Sequence, residues 1–148
     1  MMQDIRSTGI IWFRQNVSDP HTPDDGHIKV SKYYPAVESW TSSDVWWFDI
    51  PLEKFSKPAP AHIHLLCQES VSSHEFLHLK VPNSVLVDAV NKRSVEVTPR
   101  PAVRLHLSAR LTDRYVDLRA RGPLRLDLSR FLSLSPSGPM VLPLLQEN

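Results

Sequence analysis

The chain has a single cysteine, Cys67, among its 148 residues. A lone thiol excludes an internal disulfide framework and any multi-cysteine zinc motif, and it fits a reducing compartment. Glycine is nearly as scarce, with Gly9, Gly26, Gly122 and Gly138 making up all 4. No glycine-rich phosphate loop and no Gly-x-Ser-x-Gly nucleophile elbow can be built from them. Long apolar runs are missing as well. No stretch approaches the ~18 residues of a membrane helix, and residues 1–6 lack a basic region leading into an apolar run. The expectation from these absences is a cytoplasmic protein with no membrane association.

What is present is ordinary in bulk: 41% hydrophobic and 22% charged residues, in a chain of single-domain length that can bury a core without staples. Proline is frequent, at 13 residues, and divides the chain into short extended pieces. Residues 45–50, 61–67, 75–81 and 102–109 alternate apolar and polar side chains with the period of half-buried strands. Shorter strands are expected at 9–13, 27–30, 95–97, 115–119 and 124–128. Residues 70–73 read as a hairpin connection, which makes the strands on either side antiparallel. Helical signals are local. They cover 85–90, with Asn83 and Ser84 as capping candidates and Lys92 and Arg93 near the C-terminal end, and one turn at 52–55. Residues 18–26 read as a loop.

The expected fold is therefore α+β and β-rich. It has a single, mostly antiparallel sheet, with a sandwich or partial barrel as variants, and one or two short helices. One globular domain spans 1–132, and 133–148 form a Ser/Pro-rich linker and an apolar tail. Exposed strand edges and that tail leave homo-oligomerisation open.

Net charge is +1, but it is unevenly spread: −4 over residues 1–91, +6 over 92–130 and −1 over the rest. Arginine dominates the basic stretch, a composition suited to phosphates or an acidic partner. Side chains alternate faces along a strand. If the four main strands share a sheet, Asp49, His62, His64, His78, Lys80, Arg104 and His106 emerge on one face, with Trp47 and Phe76 beside them.

Two kinds of chemistry follow. The first is non-catalytic: a binding or accessory module for a nucleic acid or an acidic protein surface. Trp47 and Phe76 would stack, and Arg104, His106, Arg119 and Arg125 would contribute charge or hydrogen bonds. The alternative is a small metal-dependent hydrolase. His62 and His64 lie on one strand and His78 on its neighbour, a possible set of three nitrogen ligands for a divalent metal. With Asp49 on one strand and Lys80 on another, this part of the chain also resembles restriction-type nucleases of the PD-(D/E)xK kind, which implies an Asp49, His78 and Lys80 site beside a divalent cation. It departs from that pattern two residues before the lysine. The acidic position there is filled by His78, and Glu75 has the opposite strand parity. Cys67 falls on the apolar side of its strand, the position of a packing residue rather than a nucleophile.

Overall fold

The alternating stretches fold as strands, but into two sheets rather than one. In a computed structural model of the chain, residues 4–17, 27–38, 43–56, 61–119 and 125–133 are described. The strands are β1 (Ile28–Ser31), β2 (Val45–Pro51), β3 (His62–Gln68), β4 (Phe76–Pro82), β5 (Glu96–Val97), β6 (Ala102–Ser108) and β7 (Leu132–Ser133). The α-helices are α1 (Ile5–Asn16), α2 (Glu53–Ser56) and α3 (Asn83–Asn91). A four-stranded sheet runs β1-β3-β4-β7 and a three-stranded sheet runs β2-β6-β5. Every pairing is antiparallel except β1 with β3.

The two sheets bury their apolar faces in one core. Trp46, Phe48 and Ile50 of β2 and Val103, Leu105 and Leu107 of β6 meet Ile63, Leu65 and Cys67 of β3 and Leu79 and Val81 of β4. Leu86 and Ala89 of α3 complete it. The single-sheet expectation fails for a definite reason. Strand parity separates inward from outward side chains, but the pattern is identical for either layer of a two-layer packing.

Residues 9–13, expected to be a strand, lie in α1. Asp4 caps this helix, its carboxylate accepting from the Ser7 backbone N–H at 3.0 Å and from the Ser7 hydroxyl at 3.0 Å. Gly9, Trp12 and Phe13 are its buried residues, at helical i, i+3 and i+4 spacing. Trp12 and Phe13 join Ile28, Leu66 and Phe76 in a second core on the outer side of the four-stranded sheet. Strands β3 and β4 are thus packed on both faces. With the extra helix, the described residues hold three α-helices where one or two are expected.

Other elements follow the sequence more closely. The 70–73 connection is a hairpin, with Ser72 at φ 64 and the register Gln68↔Phe76 at its base. Helix α3 forms, although Pro82 rather than Asn83 or Ser84 occupies the N-cap and supplies no side-chain bond. Residues 115–119 make only isolated bridges, Leu107↔Asp117 and Val116↔Asp127, instead of a strand. Ser133 belongs to β7, while the remainder of the expected linker and tail, and the 18–26 loop, lie outside the described residues. Among the described residues no helix is long and apolar enough to cross a membrane.

Gly9 sets how closely α1 approaches the sheet. A Cβ added there would lie 2.6 and 2.7 Å from the two γ-carbons of Val30. Alanine favours helix over glycine by about 1 kcal/mol, but this overlap costs about 1–3 kcal/mol. Gly9→Ala is therefore expected to lower the denaturation midpoint, and adding Val30→Ala to restore part of the loss. A Gly9→Ala protein more stable than wild type would contradict this packing.

Candidate functional site

The two outward faces carry different residues. On the four-stranded sheet, His62, His64, His78, Lys80 and Phe76 face the side covered by α1. His64 and His78 are buried, with Nδ1 of His64 at 2.8 Å from Nε2 of His78. The Phe13 ring meets them edge-on, its centroid 5.0 and 5.5 Å from theirs. Phe76 packs against Trp12, 5.8 Å between centroids, in the second core. His62 is half-buried and Lys80 is exposed, opposite His64 in the β3–β4 register. Among the described residues no three His, Cys, Asp or Glu side chains gather in a metal-holding group.

Asp49, Trp47, Arg104 and His106 project from the other sheet, across the shared core. Asp49 and Lys80 are thus not brought together. Here β2, β6 and β5 align Asp49, Arg104 and Glu96 in one cross-strand row. Arg104 grips Asp49 with two bonds, Nε to Oδ1 at 2.9 Å and Nη2 to Oδ2 at 3.2 Å. The Trp47 indole N–H donates to the same Oδ1 at 3.1 Å, and the Arg104 guanidinium lies 5.0 Å from the Trp47 ring centroid. Arg119 extends the row, its Nε 2.6 Å from Oε1 of Glu96. Exposed pairs of this kind contribute only about 0–1 kcal/mol each; their effect is to fix geometry. Burial pushes the Asp49 carboxyl up, but the hydrogen bonds from Arg104 and Trp47 outweigh it, and the pKa lies below the ordinary value.

His106 is buried edge-on beneath Trp47, with centroids 4.8 Å apart. Burial, and then the Arg119 charge, bring its pKa down to about 4, so the imidazole is neutral at physiological pH. Arg125 is exposed. Cys67 is buried and burial raises its thiol pKa well above the usual value, the condition of an inert packing residue.

At the end of this row a groove of about 750 Å³ opens between the end of β2 and the β5–β6 hairpin. Asp49, Pro51 and Glu53 line it on the β2–α2 side, and Pro99, Arg100, Pro101 and Arg104 on the hairpin side. Lys29 stands near the same carboxylates, with Lys54 and Arg6 near it in turn. The half-buried Lys29 ammonium has its pKa lowered by burial first, then by Lys54 and Arg6, while Asp49 and Glu53 act to raise it. Arg6, Lys29, Glu53, Lys54 and Arg100 are not among the sequence candidates; apart from the adjacent Glu53 and Lys54 they are distant along the chain and share no local motif. Comparison with protein-family models, curated protein sequences and solved structures finds no match.

Behind the row sits Asp117, fully buried. Its Oδ1 accepts from the backbone N–H groups of His106 at 3.0 Å and Arg119 at 3.1 Å, tying the 109–119 segment to β6. Its Oδ2 is buried with no hydrogen-bond partner among the described residues. Burial, opposed by those two N–H donors, raises the pKa from 3.8 to about 6. The folded state therefore holds this proton more tightly than the unfolded chain. The stabilisation is complete below the unfolded value and is lost as pH rises through about 6. Relative to Asp117→Asn, wild type should gain roughly 3 kcal/mol on acidification across that window. A stability difference that stays flat with pH in denaturant titrations would contradict the buried-carboxylate assignment.

Proposed function

We propose that this protein is a non-catalytic binding module for an acidic macromolecule, docked at the groove end of the three-stranded sheet. The observation that carries this reading is the groove that Arg100 and Arg104 line together with Asp49 and Glu53, with the Lys29 ammonium within electrostatic reach of both carboxylates and of Lys54 and Arg6. Cationic side chains presented in a concave surface focus their field, raise the local concentration of the opposite charge and speed its capture. Elsewhere on the arginine-rich stretch two arginines are answered from within: Arg110 pairs with Asp113 and Arg119 with Glu96.

The nuclease-like alternative has less support. Asp49 and Lys80 project from different sheets on opposite sides of the shared core. Both Asp49 oxygens already accept hydrogen bonds, and the guanidinium that holds them keeps the carboxylate ionised. Such a group is a weak proton acceptor at neutral pH.

Fluorescence titration with two anionic probes, a single-stranded oligonucleotide and a glutamate-rich peptide, tests the proposal. At least one probe should bind, with affinity falling as salt is raised, because neutralised charges release counterions. The double charge reversal Lys54→Glu/Arg100→Glu should weaken that binding by more than about tenfold. Absence of binding by either probe, or an affinity indifferent to salt and to charge reversal, would overturn it.

A further inference from the structure

The chemistry of the groove narrows the class of partner. We infer that its occupant is an extended acidic polypeptide segment, whose carboxylates meet Arg100 and Arg104 while its backbone lies against Pro51, Pro99 and Pro101. This inference rests on the binding reading above and selects among acidic partners.

Arg100 is presented on a rigid support. It stands between Pro99 and Pro101 in the β5–β6 hairpin, and both rings fix the local φ. The Thr98 hydroxyl donates to the Arg100 carbonyl at 2.6 Å, and the Thr98 N–H to the Ala102 carbonyl at 2.9 Å. The backbone beneath the exposed guanidinium is therefore held before any ligand arrives, which lowers the entropic cost of binding. Arg104 is held in another way. Trp47 supports its flat face, and Asp49 takes Nε and one Nη2 hydrogen. The Nη1 donors are engaged by no partner among the described residues. A guanidinium fixed in this manner offers directional bonds to a carboxylate.

The same features disfavour a nucleic acid. Single-strand binding uses open aromatic faces on which bases stack. Among the described residues no aromatic side chain lines the groove. Trp47, on the adjacent row, has Arg104 over its ring and His106 at its edge, and Phe76 is buried beneath α1. Asp49 and Glu53 also stand inside the groove, where an unbroken run of phosphates would be repelled. A peptide can place neutral or amide groups beside those carboxylates and its acids beside the arginines. Its aliphatic and backbone atoms suit walls built from proline rings.

Fluorescence anisotropy at one fixed salt concentration decides the matter. The probes are a labelled peptide in which glutamates alternate with small neutral residues, and a labelled oligothymidylate of equal length. The peptide should bind at least about tenfold more tightly than the oligonucleotide. Arg100→Ala should cost about tenfold in peptide affinity with an unchanged melting temperature, and Arg104→Lys, which keeps the charge but loses the fork, should cost less. Lys92→Ala, on the exposed end of α3, should bind as wild type. Tighter binding of the oligonucleotide would overturn the peptide assignment while leaving the acidic-partner reading standing. Peptide binding indifferent to Arg100→Ala would overturn the groove as its location. Failure of both probes would overturn the assignment together with the reading beneath it.

Discussion

The indole of Trp46 pins one sheet to the other. It projects from β2 into the shared core, fully buried, and its N–H donates to the Gln68 carbonyl at the end of β3, 2.8 Å away. Tyr115 stacks on the ring at 5.5 Å between centroids, Tyr33 meets it edge-on at 5.9 Å, and the Arg114 guanidinium lies 6.0 Å from its centre. Gln68 is a node in turn. Its side chain accepts from the Tyr33 N–H at 2.8 Å and donates to the Ser73 carbonyl at 2.9 Å, joining the pin to the β3–β4 hairpin. A buried tryptophan with a satisfied N–H combines a large apolar contribution with one directional bond. Because Trp46 points inward, its neighbours Trp47 and Asp49 must point outward, and the orientation of the whole Asp49–Arg104–Glu96 row follows.

That dependence also separates what is legible in the sequence from what is not. Strands β2, β3, β4 and β6 fall within a residue of the alternating stretches, and their inward residues are those the alternation names. The hairpin and α3 have local signatures, and both form. Helix α1 has one too, in Asp4 as cap and in the spacing of Gly9, Trp12 and Phe13. A five-residue apolar run at 9–13 nevertheless matches a strand equally well, because short runs do not discriminate between periods. Layer assignment has no local signature at all. His64 and Arg104 obey the same in-out rule, and only packing partners far along the chain decide that one lies beneath a helix and the other beside a groove.

The electrostatics show a related divergence between composition and surface. Sequence composition concentrates positive charge in residues 92–130. In the folded chain much of that charge meets acids: Arg104 with Asp49, Arg110 with Asp113, and Arg119 with Glu96. The other cations near the groove come from elsewhere in the chain: Arg6 of α1, Lys29 of β1, Lys54 of α2 and Arg100 of the β5–β6 hairpin. Charge counted along the chain therefore does not map directly onto the folded surface. The histidines follow the same logic. His64, His78 and His106 are buried against aromatic rings, so their number reflects interior packing more than an exposed reactive surface.

The two polar faces are distinct, and under the proposed function the groove face is the one that binds. Mapping backbone amide shifts by NMR during titration with a glutamate-rich peptide tests it most directly. The perturbed signals should cluster at Asp49, Glu53, Lys54, Thr98, Arg100 and Arg104, leaving His62, His78 and Lys80 unmoved. Perturbations centred on His62, His78 and Lys80, with the β5–β6 hairpin silent, would contradict it.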